Sequence, residues 1–330
     1  MVSWVSFLLS AKKSPFALPI SHEVFFLQEE FACQIMSQDS FVTFELYYFP
    51  IHFHPSLFAD LHLPSDMTSS RTKRLVVATR IHLGNASTPP ATDKLKIIID
   101  SLSLLGKSLN ATQTIIAADA APILDGYDLI DVLRSMAVST DITIVPVTPW
   151  NKFVPALNAI LSEASGSDYC LMMSVETHVT SANVEILLQH MDEMTLVAGA
   201  VLPGHDFYPQ SIQPLNGRTT PWNTLAIWNL AKLSLTGFVL VADGVHLGKD
   251  GSPGVSGIEE VSTIAVLQRI LGADHAKVKL VPLSDNVKWE TNFEDEERRA
   301  WHEHKMNSKL ERATRHLELL SLKGTVLHLG

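Results

Sequence analysis

The stretch Thr219-Thr-Pro-Trp222-Asn223-Thr-Leu-Ala-Ile-Trp228-Asn229 is dense in indoles and amides. That combination suits a sugar, whose CH faces stack on rings while its hydroxyls bond to amides. Trp222 and Asn223 are the candidates to meet one. An ordinary helix competes with this reading, because Leu225, Trp228 and Lys232 have helical spacing and Pro221 suits a first turn. Residues 236–243 read as a strand ending in Asp243-Gly244, where the carboxylate either reaches a site or closes a turn. Glu259 and Glu260 open an apolar, helix-periodic segment, where charge complements the helix dipole. Just before them, Asp250-Gly-Ser-Pro-Gly-Val-Ser-Gly257 is a lid or simply a long connection. His178, His205 and His246 are scattered. His302 and His304 lie two apart, on different helix faces, and Cys33 and Cys170 lack zinc spacing.

These side chains need a frame, and a regular one begins near residue 74. Residues 75–80 form a short apolar run rich in β-branched types, as in a strand buried on both faces. Residues 92–107 read as a helix with Leu95, Ile98, Ile99, Leu102 and Leu105 on one face. Strands follow at 113–118, 141–146, 169–173 and 196–201, separated by helices at 124–136, 153–164 and 181–191. This alternation predicts an α/β fold with a mainly parallel sheet and helices on both faces. Ligands of such sheets bind beyond the carboxyl ends of the strands. Thr79-Arg80, Asp119, Val147-Thr148 and Ser174-Val-Glu176 stand at those ends. The first strand is followed by no G-x-G-x-x-G, and the chain has no G-x-x-x-x-G-K-[ST], so dinucleotide and P-loop chemistry are disfavoured.

The order of elements resembles the nucleotide-diphospho-sugar transferase (GT-A, Rossmann-like) fold, and within it glycosyltransferase family 2. The resemblance spans about residues 73–290. It makes Asp119 in Ile-Ile-Ala-Ala-Asp-Ala-Ala-Pro the residue that holds the nucleoside base or ribose, and Thr79 and Arg80, at the end of the first strand, join it as expected nucleotide-binding residues. Ala156-Leu-Asn158-Ala, then the run from Gly166 to Thr180, follow the family's approach to its D-x-D, but Ser174-Val175-Glu176 occupies that position. Two carboxylates there normally hold a divalent cation, Mn or Mg, on the donor diphosphate. With Ser174 and Glu176 at the diphosphate or metal, one carboxylate has become a hydroxyl. Either Glu176 holds a cation through the diphosphate and waters, or the site is metal-independent or dead. Gly257-Ile-Glu259-Glu260 resembles the acidic pair beside the family's acceptor, which makes Glu259 or Glu260 the base that takes the acceptor proton. Trp222, Asn223 and Asp243 then fall on the acceptor side. Lys277-Val-Lys-Leu-Val-Pro282 resembles the family's late edge strand.

Composition sets the outer bounds. The formal charge is −10, without the basic footprint that nucleic acid needs. Two cysteines make no disulfide framework, which suits a reducing, cytoplasmic setting; secretory entry is the alternative, disfavoured because Lys12 and Lys13 follow the short apolar N-terminal run rather than precede it. No run reaches the roughly 18 apolar residues of a transmembrane helix. Residues 1–70 hold 10 of the 14 Phe but no sustained periodicity. They read as a poorly ordered extension, a partner- or membrane-facing arm, or a segment outside the natural protein, with Met67 as its start. The last is favoured. The transferase domain then covers 71–290 and a helical tail 291–330, whose charged helix, 294–320, packs across the domain or supports a homo-oligomer. The function implied is an inverting transfer of sugar from a nucleotide-sugar donor to an unknown acceptor. The alternatives are an inactive binding or scaffold protein, motivated by Ser174, and a sugar-phosphate nucleotidyltransferase. The latter is less favoured because Ile81-His-Leu-Gly-Asn-Ala-Ser-Thr-Pro-Pro lacks a basic, glycine-rich loop.

Overall fold

A computed structural model describes residues 73–82, 90–120, 127–138, 140–148, 150, 153–244, 257–283, 287–291 and 296–330. The chain divides into two units, Met1–Thr68 and Ser69–Gly330, and every described residue belongs to the second. The expected N-terminal extension, the start at Met67 and most of the expected lid lie outside the described residues.

Among the described residues, the first half runs β1 (Leu75–Ile81), α1 (Thr92–Ser108), β2 (Gln113–Asp119), α2 (Leu129–Ala137), β3 (Ile142–Val147), α3 (Phe153–Glu163), β4 (Tyr169–Met173) and β5 (Thr177–His178). It continues with α4 (Ser181–Gln189), β6 (Thr195–Ala200), β7 (Ser211–Pro214), β8 (Leu225–Asn229) and α5 (Leu230–Leu233). After a 3-10 turn at Leu240–Asp243 come α6 (Glu259–Leu271), β9 (Lys277–Val281), β10 (Lys288–Trp289), α7 (Glu296–Asn307), α8 (Lys309–Leu319) and β11 (Thr325–His328). Nine strands form one sheet in the order β3-β2-β1-β4-β8-β6-β9-β11-β7. Only β8 and β7 run against the others. The fold is thus a mainly parallel α/β sheet, and β10 pairs with β5 in a small ribbon beside it.

Alternation along the strands explains why both faces are covered. Val76, Ala78, Ile115 and Ala117 join one apolar cluster with Val154, Leu157 and Ile160 of α3 and Ile264 of α6. Their neighbours Leu75, Val77, Ile116 and Ala118 join the other, with Leu95, Ile99 and Leu102 of α1, Leu133 of α2 and Leu187 of α4. Each valine, leucine or isoleucine among them, fully buried, contributes about 1.5–3 kcal/mol over its exposed state. The helices are also stopped and started by side chains. Asp128 caps α2 by accepting the Ile130 and Asp131 N–H groups (2.8 and 3.2 Å), and Thr180 with Asn183 forms a capping box on α4.

Four expectations are corrected. Leu225–Asn229 is a strand, not a helix, because it is buried between β4 and β6. Residues 236–243 form no strand; they end in the 3-10 turn closed by Gly244 at φ 78°. β9 is an interior strand, because β11 and then β7 lie beyond it. The C-terminal segment therefore contributes a sheet strand as well as helices. The charged helix is α7 followed directly by α8. The Ser308 N–H donates to His304 O (3.0 Å) and the Arg312 N–H to Ser308 O (2.9 Å), which keeps one helical path across the junction.

Two glycines let α8 come close. A Cβ on Gly217 would lie 2.2 Å from the Lys309 carbonyl oxygen, and one on Gly257 would lie 2.3 Å from His316 Nδ1. Those contacts seat α8 against the start of α6. No helix among the described residues is long and apolar enough to cross a membrane.

Candidate functional site

Arg80, near the end of β1, is the centre of the site. Its guanidinium lies over the Phe153 ring at 4.4 Å, and its Nη1 is buried with no hydrogen-bond partner among the described residues. Burial lowers its pKa, while the carboxylates of Glu259, Glu260, Asp243 and Glu176 oppose that shift. Arginine stays protonated regardless, so the fold holds a permanent cation among acids from α6, the 3-10 turn and the strand-end turn after β4. A buried donor left unpaired costs about 1–3 kcal/mol, more when it is charged.

The acidic pair separates into two roles. Glu260 is 4% exposed and accepts the Asn223 N–H at 2.7 Å. Burial, then the neighbouring Glu259 charge, raises its pKa. Glu259 is half-buried, and its charge acts on Arg80, Lys305, Lys309 and Arg312. The carboxylate better placed to meet a ligand is therefore Glu259, whereas Glu260 holds the main chain of the Trp222-Asn223 segment.

The cations come from α7 and α8, outside the candidate site residues of the sequence. Lys305, Lys309 and Arg312 follow one another at spacings of four and three along α7 and α8, which puts them on one face. Lys305 Nζ lies 4.7 Å from the Phe153 ring centroid, so two cations share one ring with Arg80. Lys309, 6% exposed, places its Nζ 3.3 Å from the Trp222 ring centroid. Burial lowers the pKa of both lysines, and Glu259 and Glu260 counter it. Arg312 Nη1 donates to Gly257 O (3.2 Å) and its Nε to Ser308 Oγ (3.1 Å), which ties this face to the N-terminus of α6.

Beyond β4 the chain turns at Ser174-Val175-Glu176. The Ser174 hydroxyl donates to Glu176 Oε2, and the Ser174 N–H donates to Thr224 O at 3.0 Å. A divalent cation would want several oxygen ligands here. The residues present do not fit one. The first ligand position is a hydroxyl committed to the second, and the Arg80 charge already acts on Glu176. Among the described residues no group of three His, Cys, Asp or Glu side chains is placed to hold a metal ion.

A second rim lies over β1, β2 and β3. Asp119, 8% exposed, ends β2. His82, just after β1, stacks on Trp150 at 5.4 Å between centroids. Desolvation, then the Arg80 charge, lowers the His82 pKa, and Glu176 and Asp119 oppose it. A neutral aromatic pair beside a carboxylate can stack on a flat ring and accept its donors. Neither His82 nor Trp150 stood out in the sequence, since each lies in a short loop without a motif.

Three expected site residues are engaged in the structure itself. Thr79 is 1% exposed and donates its hydroxyl to Met173 O (2.8 Å), which ties β1 to β4. Trp222 is 1% exposed; its Nε1–H donates to Gly217 O (2.9 Å), and His205 stacks on its ring at 3.7 Å. With Lys309 also on that ring, Trp222 offers no face to a sugar. Asp243, 7% exposed, accepts the Val154 N–H at 3.1 Å and so serves the first turn of α3. Asn223 is divided. Its Oδ1 accepts the Trp228 Nε1–H (2.8 Å), but its buried Nδ2 has no partner among the described residues. Arg80, Asp119, Glu176, Glu259 and Glu260 remain at the carboxyl end of the sheet, together with the three cations of α7 and α8.

No family model and no curated protein matches this chain. Its structure is similar to that of a mannosyltransferase from Pyrobaculum calidifontis solved with GDP-Man and Mn2+, at 13% identity and TM-score 0.41, over 60% of this chain and 52% of that one. It is similar to S. aureus TarS solved with UDP-GlcNAc, at 10% identity and TM-score 0.40, over 65% and 57%. It is also similar to a 4-diphosphocytidyl-2C-methyl-D-erythritol synthase from Anaerococcus prevotii, at 12% identity and TM-score 0.42, over 71% and 99%. The chain spans about half the length of the first two. At these scores the likeness is loose, and the fold class rests on the strand order itself.

Proposed function

We propose that the protein is a glycosyltransferase that takes a sugar from a nucleotide-diphosphate donor and passes it to an acceptor hydroxyl with inversion. The observation that carries this reading is the buried Arg80 Nη1, without a hydrogen-bond partner among the described residues, at the carboxyl end of the parallel strands. A phosphate oxygen of the donor supplies the acceptor for this N–H. Asp119, with His82 stacked on Trp150, is the natural seat for the nucleoside. Glu259 is the base of choice, with Glu260 as its support.

In the reaction, the acceptor oxygen attacks the anomeric carbon as its proton passes to the Glu259 carboxylate. The bond from that carbon to the diphosphate oxygen breaks, and its electron pair leaves with the nucleoside diphosphate. Nucleotide release from a UDP-, GDP-, ADP- and dTDP-sugar panel tests the reading. One donor class should be consumed, and Glu259→Gln should lower the rate by about 10²-fold or more, with donor affinity kept or raised because the lost charge no longer opposes an anion. Unchanged turnover in that variant would remove Glu259 as base. A binding module without turnover is the second reading, favoured by the hydroxyl of Ser174 where a carboxylate would be expected. It requires donor binding with no nucleotide released.

A further inference from the structure

Arg80 and Lys305 approach the same Phe153 ring, from β1 and α7 respectively, at 4.4 and 4.7 Å. Lys309 and Arg312 continue the same helical face. This brings four cations from opposite ends of the chain to the N-terminus of α6. Two of the nearby carboxylates are engaged by main-chain amides: Asp243 accepts Val154 N–H and Glu260 accepts Asn223 N–H. A third, Glu176, accepts the Ser174 hydroxyl. Those hydrogen bonds fix where the acids stand, and their charges act on Arg80 together with that of Glu259.

We propose that these cations form a cradle for the donor diphosphate, with Arg80 and Lys305 as its contacts and Lys309 and Arg312 behind them, in the role a divalent metal fills at a paired-carboxylate site. The proposal rests on the donor reading above and goes beyond it by naming what neutralises the leaving group. As the anomeric carbon–oxygen bond breaks, the departing electron pair adds a negative charge to the terminal phosphate. Fixed guanidinium and ammonium groups stabilise that charge without an ion having to be bound first. Arg80 suits the task because its fork matches phosphate oxygens two at a time, while Lys305 supplies a point charge.

This arrangement predicts donor binding without a divalent ion. Calorimetric titration of the full 330-residue chain with UDP and GDP, each in EDTA and in Mn2+, provides the test. The expected result is binding of one diphosphate with equal affinity in both conditions. Lys305→Met should weaken it about tenfold or more, and Lys305→Arg should restore most of the loss. The corresponding monophosphate should bind Lys305→Met nearly as well as it binds the wild type, which marks the effect as one on diphosphate charge. Wild-type binding that requires Mn2+ overturns the cradle while leaving the transferase reading intact, whether or not the variants fold. Equal weakening of mono- and diphosphate also overturns it, since Lys305 would then act on the fold alone. No binding of either nucleotide to a chain shown to be folded refutes the donor reading, and the cradle with it.

Discussion

Replacing Glu260 by Gln should change the pH dependence of stability in a defined direction. Burial and the Glu259 charge raise the Glu260 carboxyl from its ordinary 4.5 to about 7. A raised carboxyl binds its proton in the folded chain over a range where the unfolded chain has already released it. Its contribution to stability is therefore present below about pH 4.5 and is lost as pH rises toward 7. At 1.36 kcal/mol per unit, that loss is about 3 kcal/mol. Glutamine keeps an acceptor for the Asn223 N–H and has no such titration. The stability of wild type minus that of Glu260→Gln should fall by about 3 kcal/mol between pH 4.5 and 7. Urea unfolding of both proteins at half-unit steps from pH 4.5 to 8 measures the difference directly. Parallel curves would refute the buried, coupled placement of Glu260.

Other substitutions separate support from chemistry. Asp243→Asn should lose about 1–2 kcal/mol in urea unfolding through a weakened hold on the Val154 N–H, with donor affinity little changed. Trp222→Phe removes the donor to Gly217 O and should cost about 1–3 kcal/mol; acceptor KM should stay within a factor of a few, because the ring meets no sugar. Gly217→Ala forces a Cβ to 2.2 Å from the Lys309 carbonyl oxygen, so the thermal midpoint should drop and the α7–α8 face should gain amide exchange.

Much of the frame was legible because it is periodic. The runs at β1, β2 and β4 are apolar on both faces, as strands buried between helix layers must be, and their order in the sheet follows from parallel crossovers. The place of Arg80, Asp119 and Glu176 at or just past strand ends was legible too, and the rule that ligands meet such sheets at their carboxyl ends makes them candidates. The acidic pair was legible as a helix start, but the division of labour was not. Burial of Glu260 under Asn223 depends on β8, whose residues carry a helix-like spacing that the neighbouring strands override. The surroundings of Trp222 were not legible for a similar reason. An indole suits a sugar or a core equally, and only His205, Gly217 and Lys309 around it decide. The cations of α7 and α8 were hidden among charges on every side of that helix pair. Their four-and-three spacing marks a common face, but nothing local says that this face turns inward; the close approaches at Gly217 and Gly257 do.

The central claim is that Arg80 receives the diphosphate of a nucleotide sugar. Thermal unfolding of the full chain and of Arg80→Met, with and without UDP-, GDP-, ADP- and dTDP-sugars, tests it most directly. A ligand that binds only the folded state at about 100 times its Kd adds about 2.7 kcal/mol, a shift of several degrees. Such a shift is expected for one nucleotide class in the wild type, with its loss in a folded Arg80→Met. A wild type that no donor stabilises, or a shift that survives in Arg80→Met, would contradict it.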